Sequence, residues 1–523
     1  MARAIFTPLG LAAALALTAT AADAAQFKCP RVGGDFIFGQ EANVNSLDQM
    51  ASSTISTRNI AMNIYEALMT RDEANNTIPD LAESYTESPD GMTYTFKLRS
   101  GVKFHNGKTL TSADIMASYE RYKRVGIERD MFKNVASWET PDASTFVIKM
   151  SQRQPTFIER ISSFSVPVVI IPSEMAADPA MQLKTVGTGP FELVEFLPGS
   201  HVKLKRYEGY AANTKFEQRT GFGGYRQACL NTVTFRIVTE AGARVAGLRT
   251  GELHGVEDLP TKALEDLKKN KDVTIVPLAN WWVQIALPST SAPPTDNIFV
   301  RKAIQAALDM DDIMDAATDG NYKLNVGFQY PHQATYSEAG KEFYNLKDPA
   351  KAKALLAQGG YKGEPVVLLT NKDYTSMYNA ALVMSEQLKA VGIKAELKVV
   401  DWPTSVQMMQ KNEPGWNYFF TGYGTQPALG ALATMQFFVS PAANYKPKDD
   451  KDDPEMVAQW NEMNSNPDPK ARFAAFEKMQ KIIFEKAYAL PFGSLTKVQG
   501  VRANVQGYVP FRIPRFSNVW MAN

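Results

Sequence analysis

The 523-residue sequence predicts a mixed α/β protein of more than one domain. Its length exceeds the roughly 100–200 residues that a single domain usually contains. Strand and helix patterns alternate along the chain, without an internal repeat. The clearest pattern is a strand at 366–369, a helix at 376–390 and a strand at 395–400. A crossover of about 25 residues predicts that these two strands are parallel neighbours in one sheet.

Spacing and capping signals predict the other elements one by one. Thr93–Leu98 alternates polar with apolar side chains, as a half-buried strand does. A helix is expected to begin at 111–114, where a threonine precedes an aspartate by three residues. The amphipathic stretch 300–317 predicts one helix. Two more helices are predicted after Asp348-Pro349 and Asp468-Pro469, where an acid can cap a helix that has proline in its first turn.

Composition excludes several classes of function. The chain has 56 Lys+Arg and 55 Asp+Glu, a net charge of +1, which gives no basic excess for nucleic acid. With 4 His and 2 Cys, a metal centre with several such ligands is not expected. The sequence also lacks the serine-hydrolase elbow, the phosphate-binding loop and the zinc-binding H-E-x-x-H helix. We therefore predict no catalytic residues, no cofactor and no metal, and a small molecule as the partner.

The N-terminus predicts export. Arg3 is followed by an apolar run at 9–22 and by Ala22-Asp23-Ala24, the order of a signal peptide that ends at residue 24. No later segment approaches the ~20 apolar residues of a membrane span. In an oxidising compartment two cysteines usually pair, so a disulfide between Cys29 and Cys229 is predicted.

Aromatic residues in polar, glycine-rich surroundings indicate a ligand cavity. Trp281, Trp282 and Trp402 are such residues, and further aromatics surround Gly422 and Gly424. Glycines expose backbone groups without side-chain volume, which suits a wall that stacks and hydrogen-bonds an organic ligand. For any one of these aromatics, a place in the core is the better explanation, whereas the cluster around Gly422 as a whole favours a binding wall.

Residues 81–122, LAESYTESPDGMTYTFKLRSGVKFHNGKTLTSADIMASYERY, resemble the signature of bacterial extracellular solute-binding proteins of family 5. These are the oligopeptide-, dipeptide- and nickel-binding proteins of ABC importers. Blocks at 186–210, 248–255, 300–313 and 348–361 are similar to further blocks of the family, in the family's order. The resemblance covers essentially the whole chain after the predicted signal peptide.

The resemblance implies a large two-lobed periplasmic-binding-protein fold, type II-like, with an extra subdomain. Lobe I would comprise 25–65, 190–285 and 492–523, with 66–189 as its extra subdomain, and lobe II would comprise 286–491. The chain would cross between the lobes near 281–288 and 490–494.

The resemblance also implies two ligand-binding segments. An extended stretch at Ser53, Thr54 and Ile55 would hydrogen-bond the ligand. In lobe II, Tyr423 stands where peptide-binding relatives have an aspartate that holds the ligand's α-ammonium group, and Asp401 is the candidate acid to replace it. With the aromatic cluster, the predicted ligand-binding set is Ser53, Thr54, Ile55, Trp281, Trp282, Trp402, Phe420, Thr421, Gly422, Tyr423 and Gly424.

The predicted function is that of a monomeric periplasmic binding protein of an ABC importer, which captures a peptide-like or other polar organic solute and delivers it to the permease. The missing aspartate favours a modified or amine-blocked peptide or an opine-like conjugate over a plain dipeptide, and a metal chelate stays open. One alternative is a secreted hydrolase of a small amide or glycoside on the same scaffold. Another is a ligand-sensing receptor component.

Overall fold

The structure is a computed structural model that describes residues 26–165, 167–424, 431–439 and 453–523. The predicted signal peptide at 1–24 lies outside the described residues. Within them, no helix combines the length and the apolar character needed to cross a membrane.

The helices of the described chain include those that the capping signals predict. Thr111 and Asp114 form a capping box at the start of the helix Ser112–Val125, and Asp348 and Asp468 cap the helices Pro349–Gln358 and Pro469–Glu485 through their side chains. The helices are α1 (Ile55–Ala61), α2 (Ser112–Val125), α3 (Phe157–Ile161), α4 (Ala241–Thr250), α5 (Leu264–Lys269), α6 (Ile298–Ala307), α7 (Met310–Thr318), α8 (Pro349–Gln358), α9 (Thr375–Ala390), α10 (Trp402–Gln410), α11 (Leu432–Met435), α12 (Pro454–Ser465) and α13 (Pro469–Glu485).

The prediction of one helix over 300–317 is wrong, because the structure has two helices there. Leu308 is extended and ends α6. The side chain of Asp309 then accepts hydrogen bonds from the backbone N–H groups of Asp311 and Asp312 and caps α7. The amphipathic pattern continues across this break, so periodicity alone does not reveal it.

The strands of the described chain form one large sheet and several smaller ones. They are β1 (Asp35–Gln40), β2 (Met69–Arg71), β3 (Thr77–Pro79), β4 (Ala82–Glu87), β5 (Thr93–Leu98), β6 (Val135–Asp142), β7 (Thr145–Met150), β8 (Phe191–Leu197), β9 (His201–Arg206), β10 (Arg219–Thr220), β11 (Gly223–Gly224), β12 (Thr232–Ile237), β13 (Gly255–Val256), β14 (Val273–Pro288), β15 (Tyr322–Lys323), β16 (Val366–Thr370), β17 (Ala395–Val399), β18 (Tyr418–Tyr423), β19 (Leu490–Arg502), β20 (Val505–Gln506) and β21 (Trp520–Met521).

The large sheet has the strand order β17-β16-β18-β14-β19-β13-β1-β12-β9-β8, with β15 paired to β19. The pair β16–β17 is parallel, with Val366 opposite Ala395, which confirms the predicted β–helix–β unit. The long strands β14 and β19 are antiparallel to each other and connect the two halves of the sheet. A separate antiparallel sheet, β4-β5-β7-β6, lies within the segment predicted to be the extra subdomain.

Two large groups of buried apolar side chains lie on either side of the β14–β19 pair. The first core takes its residues from 36–235 and 501–519, and the second core takes them from 281–495 together with Ala42. Each core needs its own set of helices and strands to cover it, so the protein has two lobes, as predicted.

The predicted disulfide between Cys29 and Cys229 is confirmed, with their Cα atoms 5.5 Å apart. It joins the segment before β1 to the segment before β12, and these two strands are parallel neighbours in the large sheet. The bridge spans 200 residues of sequence and therefore fixes the N-terminal segment to lobe I.

Candidate ligand-binding site

A cavity lies between the two lobes. The start of α1 and the C-terminal segment near Arg512 line it from the side of the first core. Residues of α9, α10 and β18 line it from the side of the second core. A cleft between two lobes, lined by aromatic and a few polar side chains, is suited to a small organic ligand.

Strand β18 gives the cavity one wall by the alternation of its side chains. Phe419, Thr421 and Tyr423 line the cavity, while Phe420 lies on the opposite face of the strand and packs against Phe492 with ring centroids 6.0 Å apart. Gly422 also lines the cavity. A Cβ atom at Gly422 would lie 2.5 Å from Cγ of Trp282, so only glycine lets that indole ring pack against the strand.

Three aromatic side chains continue this wall. Tyr374 makes edge-to-face contacts with Trp282 and Trp402, at centroid distances of 5.6 and 5.2 Å. All three line the cavity. Trp281 does not line it. Its buried ring instead faces the ammonium group of Lys497 at 5.2 Å and the guanidinium group of Arg512 at 5.8 Å.

The segment 53–55 begins a helix where an extended stretch is predicted. Thr54 is extended, and its Oγ1 accepts a hydrogen bond from the backbone N–H of Thr57, so α1 begins at Ile55. Ser53 and Ile55 line the cavity, whereas Thr54 is buried as the cap. Gln410 of α10 donates to the hydroxyl of Ser53 at 3.1 Å, which connects the two sides of the cleft.

Two arginines that the sequence analysis does not select contribute positive charge to the cavity. Arg58 follows Ile55 by one turn of α1 and donates through Nη2 to the carbonyl oxygen of Ser53 at 2.9 Å, while its Nε has no hydrogen-bond partner among the described residues. Burial, and then the positive charge of Arg512, lower the pKa of Arg58 to about 9. Burial also lowers the pKa of Arg512. A cation in either place is costly unless an anion accompanies it.

Gly424 makes room for one of these arginines. A Cβ atom built on Gly424 would lie 0.9 Å from a terminal guanidinium nitrogen of Arg512. Any larger residue at this position would have to displace that guanidinium. The glycine at the end of β18 thus allows an arginine of the C-terminal segment to reach the opposite wall.

The described residues that line the cavity include neither aspartate nor glutamate. Tyr423, at the position of the aspartate in peptide-binding relatives, stacks on Phe437 with ring centroids 5.1 Å apart. Asp401 is exposed and caps α10 by accepting from the N–H of Thr404 at 2.7 Å, and it does not line the cavity. Nor do the described residues contain a cluster of three or more His, Cys, Asp or Glu side chains that could hold a metal ion.

Several buried polar atoms of the lining residues have no hydrogen-bond partner in the described chain. They are Nε1 of Trp402, the hydroxyl of Tyr374 and the hydroxyl of Thr434. Each can donate a hydrogen bond, and a buried donor without a partner costs about 1–3 kcal/mol. The cavity is therefore positively charged, rich in donors and walled by aromatic rings.

Solved structures share this architecture. The oligopeptide-binding protein AppA from Bacillus subtilis, in complex with a nonapeptide, is 23% identical and has a TM-score of 0.81, with 94% of this chain and 100% of that chain covered. The binding protein AgaA from A. tumefaciens R10, in complex with agropinic acid, is 23% identical with a TM-score of 0.80, over 94% and 99% of the two chains. These likenesses confirm the periplasmic-binding-protein fold.

The sequence comparisons extend the likeness to a family. The glutathione-binding protein GsiB of Escherichia coli K12 is 26% identical over 502 residues, which cover 93% of this chain and 94% of that protein. The model of bacterial extracellular solute-binding proteins, family 5 Middle, matches residues 76–446, well over half of the chain. The chain therefore belongs to the bacterial extracellular solute-binding proteins of family 5, the substrate-binding components of ABC importers.

Proposed function

We propose that this protein captures a small organic anion, carrying at least one carboxylate, in the cavity between its lobes and delivers it to the permease of an ABC importer. The observation that carries the proposal is the charge of the cavity. Arg58 and Arg512 line it, and no described lining residue is an acid. A carboxylate can accept two parallel hydrogen bonds from a guanidinium group, which gives both affinity and orientation.

The lowered pKa values of the two arginines support an anionic ligand. Burial disfavours the charged forms of both side chains, and the positive charge of Arg512 adds to this effect at Arg58. A bound carboxylate would compensate these charges and gain binding energy by doing so. Trp402, Tyr374 and Thr434 would add hydrogen bonds to the ligand from their unpaired donors.

The ligands named for two relatives belong to the same chemical class. One relative is a glutathione-binding protein and another was solved with agropinic acid. Glutathione has two carboxylates, and agropinic acid is an acid by name. Among such anions we favour amine-blocked or opine-like ones over plain dipeptides, because no described lining residue offers a carboxylate to an α-ammonium group.

The remaining parts of the proposal come from the sequence. The lobe boundaries at 65/66, 189/190, 285/286 and 491/492, export to the periplasm after cleavage near Ala24, and a monomeric state stay predictions. Members of the family bind solutes and are not enzymes, so the hydrolase alternative is set aside. A sensing role remains the second candidate, and a permease gene beside this one would favour transport.

Isothermal titration with matched ligand pairs tests the proposal. Glutathione is compared with its dimethyl ester, and an N-acetyl dipeptide with its C-terminal amide. In each pair we expect the acid to bind at least about tenfold more tightly than the uncharged analogue. The variants Arg58→Gln and Arg512→Gln should reduce this preference.

Arg249→Gln is the control, since Arg249 is an exposed residue of α4 outside the cavity. It should leave the preference unchanged. Equal or tighter binding of the ester and the amide would refute the proposal.

A further inference from the structure

Polar side chains of the protein join the two lobes at the edge of the cavity. Arg160, on α3, donates from Nη1 to Oδ1 of Asn464 at 3.3 Å and from Nη2 to Oε1 of Gln436 at 3.4 Å. Gln436 in turn donates through Nε2 to the carboxylate of Glu128. The guanidinium group of Arg160 also lies 5.9 Å from the ring centroid of Trp460. We call these five residues the interlobe latch.

The interlobe latch has partners from both sides of the cleft. Arg160 lies on α3, whose Phe157 belongs to the first core. Trp460, on α12, belongs to the second core, as does Met435 just before Gln436. The polar residues of the latch are buried, with Arg160 4% and Gln436 3% exposed. Because water is largely excluded, each side depends on the other for its hydrogen bonds.

The latch adjoins the residues that line the cavity. Ile127, next to Glu128 in sequence, lines the cavity, and so does Phe437, next to Gln436. Phe437 stacks on Tyr423 of β18. Closing the latch therefore also sets the position of an aromatic wall of the cavity.

We infer that the interlobe latch stabilises the closed arrangement of the lobes independently of any ligand, and that opening it releases a proton from Glu128. All its contacts are between protein groups, so they act whether or not the cavity is filled. The latch residues differ from the arginines on which the proposed function rests. The inference about the latch and the proposed function can therefore be refuted independently of each other.

The proton follows from the surroundings of Glu128. Burial raises its pKa to about 7, against the opposing effects of Arg160 on α3, Gln436 across the cleft and Arg58 on α1. The hydroxyl of Tyr122 on α2 accepts a hydrogen bond from the backbone N–H of Glu128. When the latch opens, the carboxyl group reaches water and its pKa returns towards 4.5. At a pH between these two pKa values, closing the latch therefore adds a proton to Glu128. The ratio of closed to open protein should be about tenfold higher at pH 6 than at pH 8.

Hydrogen exchange and small-angle X-ray scattering of the ligand-free, full-length protein test this inference. In the variant Arg160→Gln we expect a larger radius of gyration at pH 6 and about tenfold faster exchange in the segment 454–465. Asn464→Ala removes the latch contact from the opposite lobe. It should also increase the radius of gyration and speed exchange in the segment 454–465, so the latch can be tested even if the Arg160 variant is unstable. Glu128→Gln should keep the lobes closed but abolish the difference between pH 6 and pH 8.

Arg153→Gln is the matched control, because Arg153 is an exposed arginine in the segment just before α3. It should scatter and exchange like the wild type. Wild-type exchange and scattering in both latch variants would overturn the latch. A pH difference that persists in Glu128→Gln would overturn the role of its proton.

Discussion

Replacing Arg58 by glutamine should make the ligand-free protein more stable and its complex with an anionic ligand weaker. Burial and the charge of Arg512 lower the pKa of Arg58 to about 9. The charged side chain is therefore unfavourable in the folded protein at neutral pH. A carboxylate in the cavity would remove this disadvantage, so the same residue that weakens the empty protein strengthens the complex.

The magnitudes follow from the same observations. The lowering of the pKa of Arg58 from its ordinary value to about 9 corresponds to at most about 5 kcal/mol of unfolding free energy. Arg58 is only half-buried, so solvent in the cavity screens its charge and reduces much of this free-energy cost. Loss of the hydrogen bond to Ser53 subtracts about a further 1 kcal/mol from the stabilisation expected for the glutamine variant. We expect a net stabilisation of about 1–2 kcal/mol, and binding that is weaker by about 2–3 kcal/mol, or about 30- to 150-fold.

The pH dependence of the stabilisation has a definite sign. Because the pKa of Arg58 is lowered in the folded protein, the disadvantage of the charge is complete below about pH 9 and disappears as the pH rises towards the ordinary pKa of arginine. Denaturant unfolding at pH 7, without ligand, therefore measures the full effect. Titration of glutathione into the wild type and the variant measures the loss of binding.

Arg58→Lys is the control, since it keeps the charge but not the forked geometry. It should stay near wild-type stability and bind with intermediate affinity. A glutamine variant that is less stable than the wild type, with unchanged affinity for the acid, would refute the reasoning.

The remaining predictions concern the opposite wall and the disulfide. Gly424→Ala should weaken binding of the acid about tenfold in titration calorimetry, because the new Cβ atom would displace the guanidinium group of Arg512. Tyr423→Asp should introduce a carboxylate into the cavity, so that binding shifts from N-acetyl dipeptides towards dipeptides with a free amine. Replacing Cys29 and Cys229 by serine should lower the unfolding free energy by about 4 kcal/mol in denaturant while leaving affinity within about twofold, since the bridge closes a long loop and neither cysteine lines the cavity.

Each of these predictions has its own control or contrary result. Gly242→Ala, on α4, is the control for the glycine, because a Cβ atom there meets nothing within 4 Å. Unchanged affinity in Gly424→Ala would contradict the account of the wall. Continued preference of Tyr423→Asp for the N-acetyl dipeptide would contradict the prediction for that variant. Equal unfolding curves with and without the disulfide would contradict the prediction for the bridge.

The elements that the sequence predicts well are those with local signals. Asp348 and Asp468 each precede a proline and cap their own helices, and no distant residue is needed to fix these starts. The break between α6 and α7 is different, because Asp309 interrupts the helix without interrupting the apolar pattern. A cap in the middle of an amphipathic stretch is the signal that would have revealed it.

The candidate site is predictable only in part, because some of its residues have no local signal in the sequence. Phe420 belongs to the predicted ligand set, but alternation along β18 turns it away from the cavity, and this follows once the strand is recognised. Arg58 follows Ile55 at helical spacing and could have been found from the cap at Thr54. Arg512 has no such signal. It reaches the cavity from a segment without regular structure, and only the folded chain brings it against Gly424.

The ligand that accompanies the protein from its own cell provides the most direct test of the central claim, that this cavity captures a small organic anion. Native mass spectrometry of protein purified without dialysis, followed by release and accurate mass measurement of the bound molecule, reports that ligand. We predict a small organic molecule with at least one free carboxylate, lost from Arg58→Gln but retained by Arg249→Gln. A bound molecule that is neutral or cationic, or one that the two variants retain equally, would contradict the claim.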